Sequence, residues 1–418
     1  MTNGLSYDAS KVAAELREQL ASDKRRLGFF IGAGTSMSVG VPGIVGLTDE
    51  VEKKLEKKQR EQFNRICTDI GGKPNVEDVL NRIRLYRELL DDDEEKNHND
   101  LTGKAAKELD AAICMAIHEI VSVDPPKGMT PHRTFAQWLN ACYAGRVWPV
   151  EIFTTNYDLL IENAMEQVGV PYFDGFVGSV APFFAPECVE ADNTRDCEAV
   201  CPPRSWTRLW KMHGSVNWYV RRDEKTGKKY VTRLSGVNPR QGEELMVFPS
   251  REKYVASRKL PFLAYQDRLR RFVSSGESVL FVIGYNFSDE HLNEIIFQGL
   301  RGNNRLAVNV LMHGDKKVVD GKDRLTLPQT IEEYGRTYRN MSIYGPDKSV
   351  VGGVPGGWGS FPHKKDDPEP FAYWSDEEKR FTLGEFNAFT AYLERFIGFR
   401  SVTFARIYTD VSLKGEGK

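Results

Sequence analysis

The sequence predicts a doubly wound α/β protein, in which helices cover both faces of a mostly parallel sheet. Two observations support this prediction: short apolar runs recur along the chain, and segments with helical spacing of apolar residues lie between them. The clearest runs span residues 27–31, 147–155, 207–212, 279–283 and 307–312. Sheets of this kind bind ligands at the carboxyl ends of their strands. The residues that follow these runs are therefore the first candidates for a functional site.

The composition is that of an ordinary globular chain. Of the 418 residues, 28% are charged and 40% hydrophobic, and the formal net charge is -2, so direct nucleic-acid binding is not expected. No apolar run approaches the ~20 residues of a membrane-spanning helix, and the first residues lack the apolar core of a secretory signal. Six cysteines in this length do not indicate a disulfide scaffold. We therefore expect a cytoplasmic protein without membrane contact.

The first third of the chain is predicted to be mainly helical. A helix is expected over residues 8–23, where Val12, Leu16 and Leu20 share one face and Asp8 or Ser10 can cap the first turn. The strand 27–31 follows. Apolar residues then recur with helical spacing between residues 76 and 90, and again between 105 and 121. A large helical insertion is therefore predicted over about residues 46–122.

Strands and helices alternate through the middle of the chain. Asn156 is expected to begin a helix that ends near Gly169, and about residues 175–205 form an irregular, proline-rich loop. Strands are predicted at 207–212, 230–234 and 245–248, and helices at 262–274 and 288–300, the last capped by Ser288. This alternation defines a predicted catalytic domain over residues 1–315.

Beyond residue 315 the composition changes. Residues 350–370 are dense in glycine and proline, which predicts a linker or a loop-rich appendage. A helix is expected over residues 383–397 and a last strand over 401–408. The C-terminal appendage, residues 316–418, fits two interpretations equally well: an oligomerisation or partner-binding element, or simple cover for the α/β core.

The first strand runs into a glycine turn. Gly32, Ala33 and Gly34 are followed by Thr35 and Ser36 at the predicted start of a helix. Glycines let a ligand approach the backbone, and the N–H groups of a helix start favour a pyrophosphate. The spacing does not match the G-x-G-x-x-G fingerprint, and no Gly-Lys-Ser/Thr follows. The turn alone is therefore also compatible with a purely structural role.

Three later strand ends also carry polar residues or glycines. Thr155, Asn156 and Asp158 lie at the end of the run 147–155. His213, Gly214 and Ser215 follow the run 207–212, and Gly284 and Tyr285 follow the run 279–283. Parallel strands place their carboxyl ends at one edge of the sheet, so these residues are expected to meet. Asn156 or Asp158 would also serve as a helix cap, and a lone histidine is often structural.

In order and type, these four strand ends resemble the sirtuin family and its sirtuin-like relatives. Gly32, Ala33, Gly34 and Ser36 match the loop that cradles the NAD pyrophosphate in that family. Asn156 and Asp158 match the residues that line its nicotinamide and ribose pocket; His213 and Gly214 match its catalytic His-Gly; and Gly284 and Tyr285 match its late turn near the adenosine. The resemblance covers about residues 25–312. It implies a Rossmann-like fold with NAD as substrate.

Two departures from the family pattern count against protein deacylation. Protein deacylases carry Asp-Phe-Arg after Gly-Ile-Pro, whereas Gly43-Ile44-Val45 follow Pro42 here. Their zinc ribbon needs paired Cys-x-x-Cys, which this chain lacks, and we interpret Cys188, Cys197 and Cys201 as loop thiols. We therefore expect no metal site. What remains resembles the sirtuin-like NAD hydrolases of bacterial anti-phage defence.

This resemblance implies an NAD+ glycohydrolase that forms ADP-ribose and nicotinamide. Asn156, His213 and Asp158 would be its catalytic residues, with Asn156 orienting a water or ribose hydroxyl and His213 as general base. Asp158 would hold the nicotinamide amide or favour the developing positive charge. The resemblance also implies a homo-oligomer and a partner ATPase of a defence system. The alternatives are an NAD-dependent protein deacylase or ADP-ribosyltransferase, and a non-catalytic NAD or ADP-ribose-binding regulatory module.

Overall fold

The computed structural model describes residues 5–90, 93, 95–98, 100–123, 128–142, 146–190, 202–203, 205–223, 225–234, 244–247, 261–319, 321–359 and 373–397. Its helices are α1 (Ala9–Ala21), α2 (Ala33–Met37), α3 (Ile44–Lys54), α4 (Lys57–Ile70), α5 (Val76–Leu90), α6 (Gly103–Val121), α7 (Pro131–Cys142), α8 (Leu160–Val168), α9 (Pro186–Glu190), α10 (Pro261–Ser274), α11 (Glu290–Gly302), α12 (Gln329–Thr337) and α13 (Phe386–Glu394). Cys197, Cys201 and the strand predicted over 401–408 lie outside the described residues.

The strands are β1 (Ser6–Tyr7), β2 (Arg26–Ile31), β3 (Asn97–His98), β4 (Leu101–Thr102), β5 (Glu151–Thr154), β6 (Tyr172–Phe173), β7 (Phe176–Val177), β8 (Phe183–Phe184), β9 (Thr207–Lys211), β10 (Gly214–Arg222), β11 (Lys229–Arg233), β12 (Glu244–Val247), β13 (Ser278–Ile283), β14 (Leu306–Leu311), β15 (Asp315–Val319), β16 (Lys322–Thr326), β17 (Met341–Tyr344), β18 (Lys348–Val351), β19 (Val354–Trp358), β20 (Trp374–Ser375) and β21 (Arg380–Phe381).

A ten-stranded sheet forms the centre of the fold. Its strand order is β1-β19-β18-β17-β14-β13-β2-β5-β9-β6. Neighbouring strands from β17 to β6 are parallel, and the central strands β2 and β13 are buried along nearly their whole length. Apolar runs of this kind are expected where helices cover both faces of a parallel sheet. The predicted doubly wound, Rossmann-like α/β fold is thus confirmed.

Two apolar clusters cover the two faces of this sheet. Phe30 of β2 packs into the cluster that contains Phe272 of α10 and Ile296 of α11. Its neighbour Phe29 packs into the cluster formed with α1, α7, α8 and α13, and touches Phe135 edge to face at 5.1 Å between ring centroids. Because successive side chains of a strand point to opposite faces, one apolar run can serve both layers.

The strand order reverses at β2. From β2 the chain continues to β5 and β9 on one side, and then returns to β13 and β14 on the other. The N–H of Gly32 donates to the carbonyl of Ile283 at 3.0 Å, which joins the ends of β2 and β13. Open α/β sheets bind ligands in the crevice outside such a reversal point. The fold therefore places the predicted loops where a ligand site is expected.

Helices α3 to α6, residues 44–121, form a unit that we call the helical cluster. It has its own apolar core, which includes Val51, Phe63, Ile83 and Ile113. Tyr157 of the α/β core is buried in the same group of side chains. The helices predicted over 46–122 are thus present, and α6 contacts strands β10 and β12 as well as its neighbouring helices.

A smaller antiparallel sheet has the order β12-β10-β11-β8-β7. Two of its strands, β7 and β8, and the short helix α9 lie within residues 175–205, which were predicted to be irregular. That prediction was too coarse for residues 176–190, because two-residue strands leave no periodicity in a sequence. Residues 191–200 lie outside the described part of the chain.

The linker predicted over residues 350–370 was wrong for the part that the structure describes, 350–359. There β18 and β19 pair as a hairpin, and β17 pairs with β14, so the main sheet continues beyond residue 315. Gly352 and Gly353 have φ of +62° and +87°, the left-handed conformation that a two-residue hairpin turn requires. The glycines that suggested a linker are therefore a turn. None of the described helices combines the length and apolar character that a membrane crossing needs.

Candidate functional site

A cleft of about 1000 Å³ opens at the carboxyl ends of β2, β5, β9, β13 and β14, with the helical cluster as its other wall. This volume lies at the upper end of the ~300–1,000 Å³ typical of small-molecule sites. The cleft is lined by nine of the residues predicted from the sequence: Ala33, Gly34, Ser36, Thr155, Asn156, Asp158, His213, Gly284 and Tyr285. The structure thus brings all four predicted strand ends together.

Three predicted binding residues, Gly32, Gly214 and Ser215, do not line this cleft. Ser215 is fully buried, and its hydroxyl donates to the carbonyl of Tyr157 at 3.3 Å. Gly214 begins β10 with φ of +89°. Gly32 offers its carbonyl to the side chain of Asn156. Ser215 and Gly32 thus bond to Tyr157 and Asn156, the residues that follow β5, rather than line the cleft.

The two glycine turns pack directly on each other. The N–H of Gly34 donates to the carbonyl of Gly284 at 2.9 Å. A Cβ at Gly34 would lie 2.7 Å from the Cα of Gly284, and one at Gly284 would lie 2.7 Å from the nitrogen of Thr35. Gly284 also has φ of +66°, which favours glycine. Loop packing therefore requires glycine here independently of any ligand.

The side-chain amide of Asn156 is fixed in one orientation. Its Nδ2 donates to the carbonyl of Gly32 at 3.2 Å, to Thr35 Oγ1 at 3.1 Å and to Ser36 Oγ at 2.8 Å. Because a backbone carbonyl only accepts, the nitrogen must face this loop. The side chain is buried, yet Asn156 Oδ1 has no hydrogen-bond partner among the described residues. A buried acceptor without a partner costs about 1–3 kcal/mol, and a hydrogen bond from a ligand or a water would offset this cost.

Asp158 holds this arrangement in place. Its Oδ2 accepts from the hydroxyl of Ser36 at 2.6 Å, and its Oδ1 accepts from the N–H of Leu160 at 3.1 Å. The second bond satisfies the N–H of the first residue of α8, which begins at Leu160 and not at Asn156 as predicted. Since the Ser36 proton goes to Asp158, the Ser36 oxygen is left to accept from Asn156. Asp158 therefore orients Asn156 through Ser36.

His213 lies between two carboxylates. Its Nε2 is 2.8 Å from Asp289 Oδ2, and its Nδ1 is 3.7 Å from Glu77 Oε1. Burial opposes the charged imidazolium, but the interactions with Asp289 and Glu77 outweigh it and raise the pKa of His213 to about 9. Burial also opposes the charged form of Asp289 and acts to raise its pKa. The hydrogen bond to His213 outweighs burial, so the pKa of Asp289 is lowered. His213 therefore carries a proton at neutral pH.

The sequence analysis missed both carboxylates. Asp289, and not Ser288 as predicted, caps α11, because its Oδ1 accepts from the N–H of His291 at 2.9 Å and of Leu292 at 3.1 Å. Its acidic side chain, six residues beyond the end of the strand predicted over 279–283, was an available signal. Glu77 stands in the first turn of α5, and no local pattern connects it to His213.

The described lining of the cleft is acidic. It contains six carboxylates and three histidines but no lysine or arginine. The acidic residues are Glu77, Asp78, Asp158, Asp289, Glu290 and Asp315. Such a lining favours the cationic part of a ligand over its anionic part. Within the described residues, no three His, Cys, Asp or Glu side chains are grouped to hold a metal ion.

Ionised His213 should make the stability of the protein depend on pH. Its pKa is about 6.5 in an unfolded chain and about 9 in the fold. Its contribution is therefore complete below pH ~6.5 and is lost as the pH rises through about 9. Denaturant unfolding of the wild type and of His213→Gln should show this loss in the wild type only. Equal pH slopes over this range would contradict a charged His213.

Residues 150–338 match the family model of the SIR2-like domain. Similar solved structures include one from a study of the mechanism and regulation of Sir2 enzymes, with 13% identity, 73% of this chain and 86% of that chain covered, and a TM-score of 0.32. A Sir2 homologue variant in complex with 2′-O-acetyl ADP-ribose has 16% identity and a TM-score of 0.32, with 72% of this chain and 85% of that chain covered. Another Sir2 homologue variant, in complex with ADP-ribose, has 14% identity and a TM-score of 0.32, with 75% of this chain and 89% of that chain covered. A search among curated proteins finds no match.

Proposed function

With the SIR2-like match over residues 150–338 as the premise, we propose that this chain binds NAD+ in the cleft and hydrolyses it to ADP-ribose and nicotinamide. The observation that carries the proposal is Asn156. Its amide nitrogen is held by three groups of the glycine loop, its Oδ1 is a buried acceptor without a hydrogen-bond partner among the described residues, and the residue lines the cleft. An acceptor fixed in this way can orient a water or a ribose hydroxyl before the reaction begins.

The charge of the cleft suits this reaction. Nicotinamide leaves NAD+ as a neutral molecule from a cationic ring, so the leaving group needs no proton, unlike in ordinary glycoside hydrolysis. The ribose becomes oxocarbenium-like and positively charged as the bond breaks. Among the described lining residues, six carboxylates face the cleft without a lysine or arginine, which favours that charge.

The proposed reaction needs only NAD+ and water as reactants. The water oxygen bonds to C1′ of the ribose, the C1′–N bond breaks, and its electron pair goes to the nicotinamide nitrogen. The proton of the water goes to a base. His213 can take it only in the fraction of molecules in which it has lost its own proton, since its pKa is about 9. Asp158 and Ser36 act as positioning residues for Asn156.

The direct test is to incubate the purified chain with NAD+ and to follow nicotinamide and ADP-ribose by chromatography. We expect the two products in equal amounts without any peptide. NAD+ loss that requires an acylated peptide would identify a deacylase, and transfer of ADP-ribose to an added protein would identify an ADP-ribosyltransferase. Saturable NAD+ binding with no product under any condition would identify a regulatory binding module.

We also propose that assembly controls the activity. A freely active hydrolase would deplete the NAD+ of its own cell, so the isolated chain should be weakly active. The resemblance to defence hydrolases supports a cytoplasmic effector that acts as a homo-oligomer, with an ATPase as partner. The candidate contact surfaces are the helical segment from Val76 to Val121, which is part of the helical cluster, and the chain beyond Lys316, where Val318 of β15 is 73% exposed.

Because β17 to β19 belong to the main sheet, a surface substitution is a better probe of this region than a truncation. Val318→Asp should lower the mass in light scattering and change the NAD+ turnover per chain. Wild-type mass together with wild-type turnover would remove this hairpin from the proposed contact surface.

A further inference from the structure

The start of α5 is held firmly beside the cleft. Asn75 Oδ1 accepts from the N–H groups of Glu77 at 2.8 Å and of Asp78 at 3.2 Å. The side chain of Asp78 accepts in return from the N–H of Asn75 at 3.0 Å. Thr48 of α3 accepts from the N–H of Val76 at 2.9 Å. These bonds satisfy the free donors of the helix start and fix the position from which Glu77 extends.

From this position Glu77 meets two residues of the α/β core. Its Oε1 accepts a hydrogen bond from the hydroxyl of Tyr157, and the same oxygen lies 3.7 Å from His213 Nδ1. The ring of Tyr157 lies beside that of His213, with 6.4 Å between centroids. Glu77 therefore provides a contact between the helical cluster and the histidine of the cleft.

Among the described residues, the groups beside the His213 ring include Glu77 from α5, Asp289 from the start of α11 and Tyr157 from the turn after β5. Asp289 is fixed at the start of α11, because its Oδ1 accepts hydrogen bonds from N–H groups in the first turn of that helix. Glu77 belongs to the other wall of the cleft. Two carboxylates from separate structural units thus bracket one buried imidazole.

We propose that Glu77 is a positioning residue that keeps His213 protonated and thereby links the helical cluster to the chemistry of the cleft. The link to catalysis rests on the proposed hydrolysis. While Glu77 and Asp289 both face the ring, most molecules keep the proton on His213, and only the small deprotonated fraction can act as a base. A displacement of α5 that withdraws Glu77 would release the proton more readily and make the base available at neutral pH.

The proton affinity of His213 can be measured without any turnover. Histidine labelled with ¹³C at Cε1 gives a titration curve by NMR, and His213→Gln identifies the signal of residue 213 among the seven histidines. The wild-type midpoint should lie at about pH 9. Glu77→Gln should lower it by about one pH unit or more, a tenfold loss of proton affinity. Glu77→Asp, which withdraws the charge by one methylene, should fall between the two.

A matched control is Glu88→Gln, the same change at an exposed position on α5, which should leave the midpoint unchanged. The proposal is overturned by a wild-type midpoint in Glu77→Gln or, where that variant does not fold by circular dichroism, in Glu77→Asp. Turnover should shift in parallel, with up to about tenfold more product at neutral pH in Glu77→Gln. If the NMR midpoint moves and no variant hydrolyses NAD+, the role of Glu77 stands and the proposed function is rejected.

Discussion

Replacing Asn156 by alanine should reduce nicotinamide release at least about 100-fold, the loss typical of removing one preorganised group at a reacting centre. The substitution removes both the unpartnered Oδ1 and the nitrogen that binds Gly32, Thr35 and Ser36. The effect should fall on the rate more than on affinity, because the residues proposed to contact the pyrophosphate and adenosine are unchanged. Single-turnover assays and calorimetry with ADP-ribose separate the two quantities.

Asn163→Ala provides the matched control for this experiment. Asn163 lies on α8, is half-buried and does not line the cleft, so the same change should leave turnover near the wild-type value. Circular dichroism must show that Asn156→Ala keeps its helices, since three buried hydrogen bonds are lost. A correctly folded Asn156→Ala protein that releases nicotinamide within a few-fold of the wild-type rate would remove the proposed catalytic role.

Replacing Gly34 by valine should abolish detectable NAD+ binding and also lower the free energy of unfolding by roughly 1–3 kcal/mol, as overpacking does. The added Cβ would press against the backbone of Gly284 at 2.7 Å, where no flexible side chain can move aside. The two turns at the ends of β2 and β13 would be forced apart, and the crevice between the strands would lose its shape.

Gly302→Val controls for the insertion of a valine as such, because a Cβ at Gly302 meets nothing within 4 Å. It should retain NAD+ affinity in calorimetry and lose much less stability in denaturant unfolding. Wild-type affinity and stability for Gly34→Val would show that the contact between the two glycine turns is not required for the site.

The sequence was sufficient for those parts of the fold that local patterns encode. The buried strands of residues 27–31 and 279–283 appear as unbroken apolar runs, so the sheet and its ligand edge could be predicted. Asn156, Asp158 and His213 follow such runs, and all three line the cleft. Strand ends are predictable because the topology of a parallel sheet gathers them at one edge.

What the sequence could not provide depends on contacts between distant segments. Glu77 is an ordinary first-turn acid of α5 until the helical cluster packs against Tyr157 and His213. The protonation state of His213 follows from that packing, so a general base assigned from sequence becomes a charged donor in the fold. Gly352 and Gly353 show the same limit, because glycine density does not separate a linker from a hairpin.

The pairing of β2 with β13 has a consequence for synthesis on the ribosome. The loop of Gly34 is complete early, but its neighbour Gly284 emerges only after roughly 250 further residues, which takes about 10–50 s at typical translation rates. During that time β2, which is almost entirely buried in the folded protein, lacks its partner β13. The cleft therefore cannot form until most of the chain has been synthesised. The nascent chain must be kept from aggregating until then.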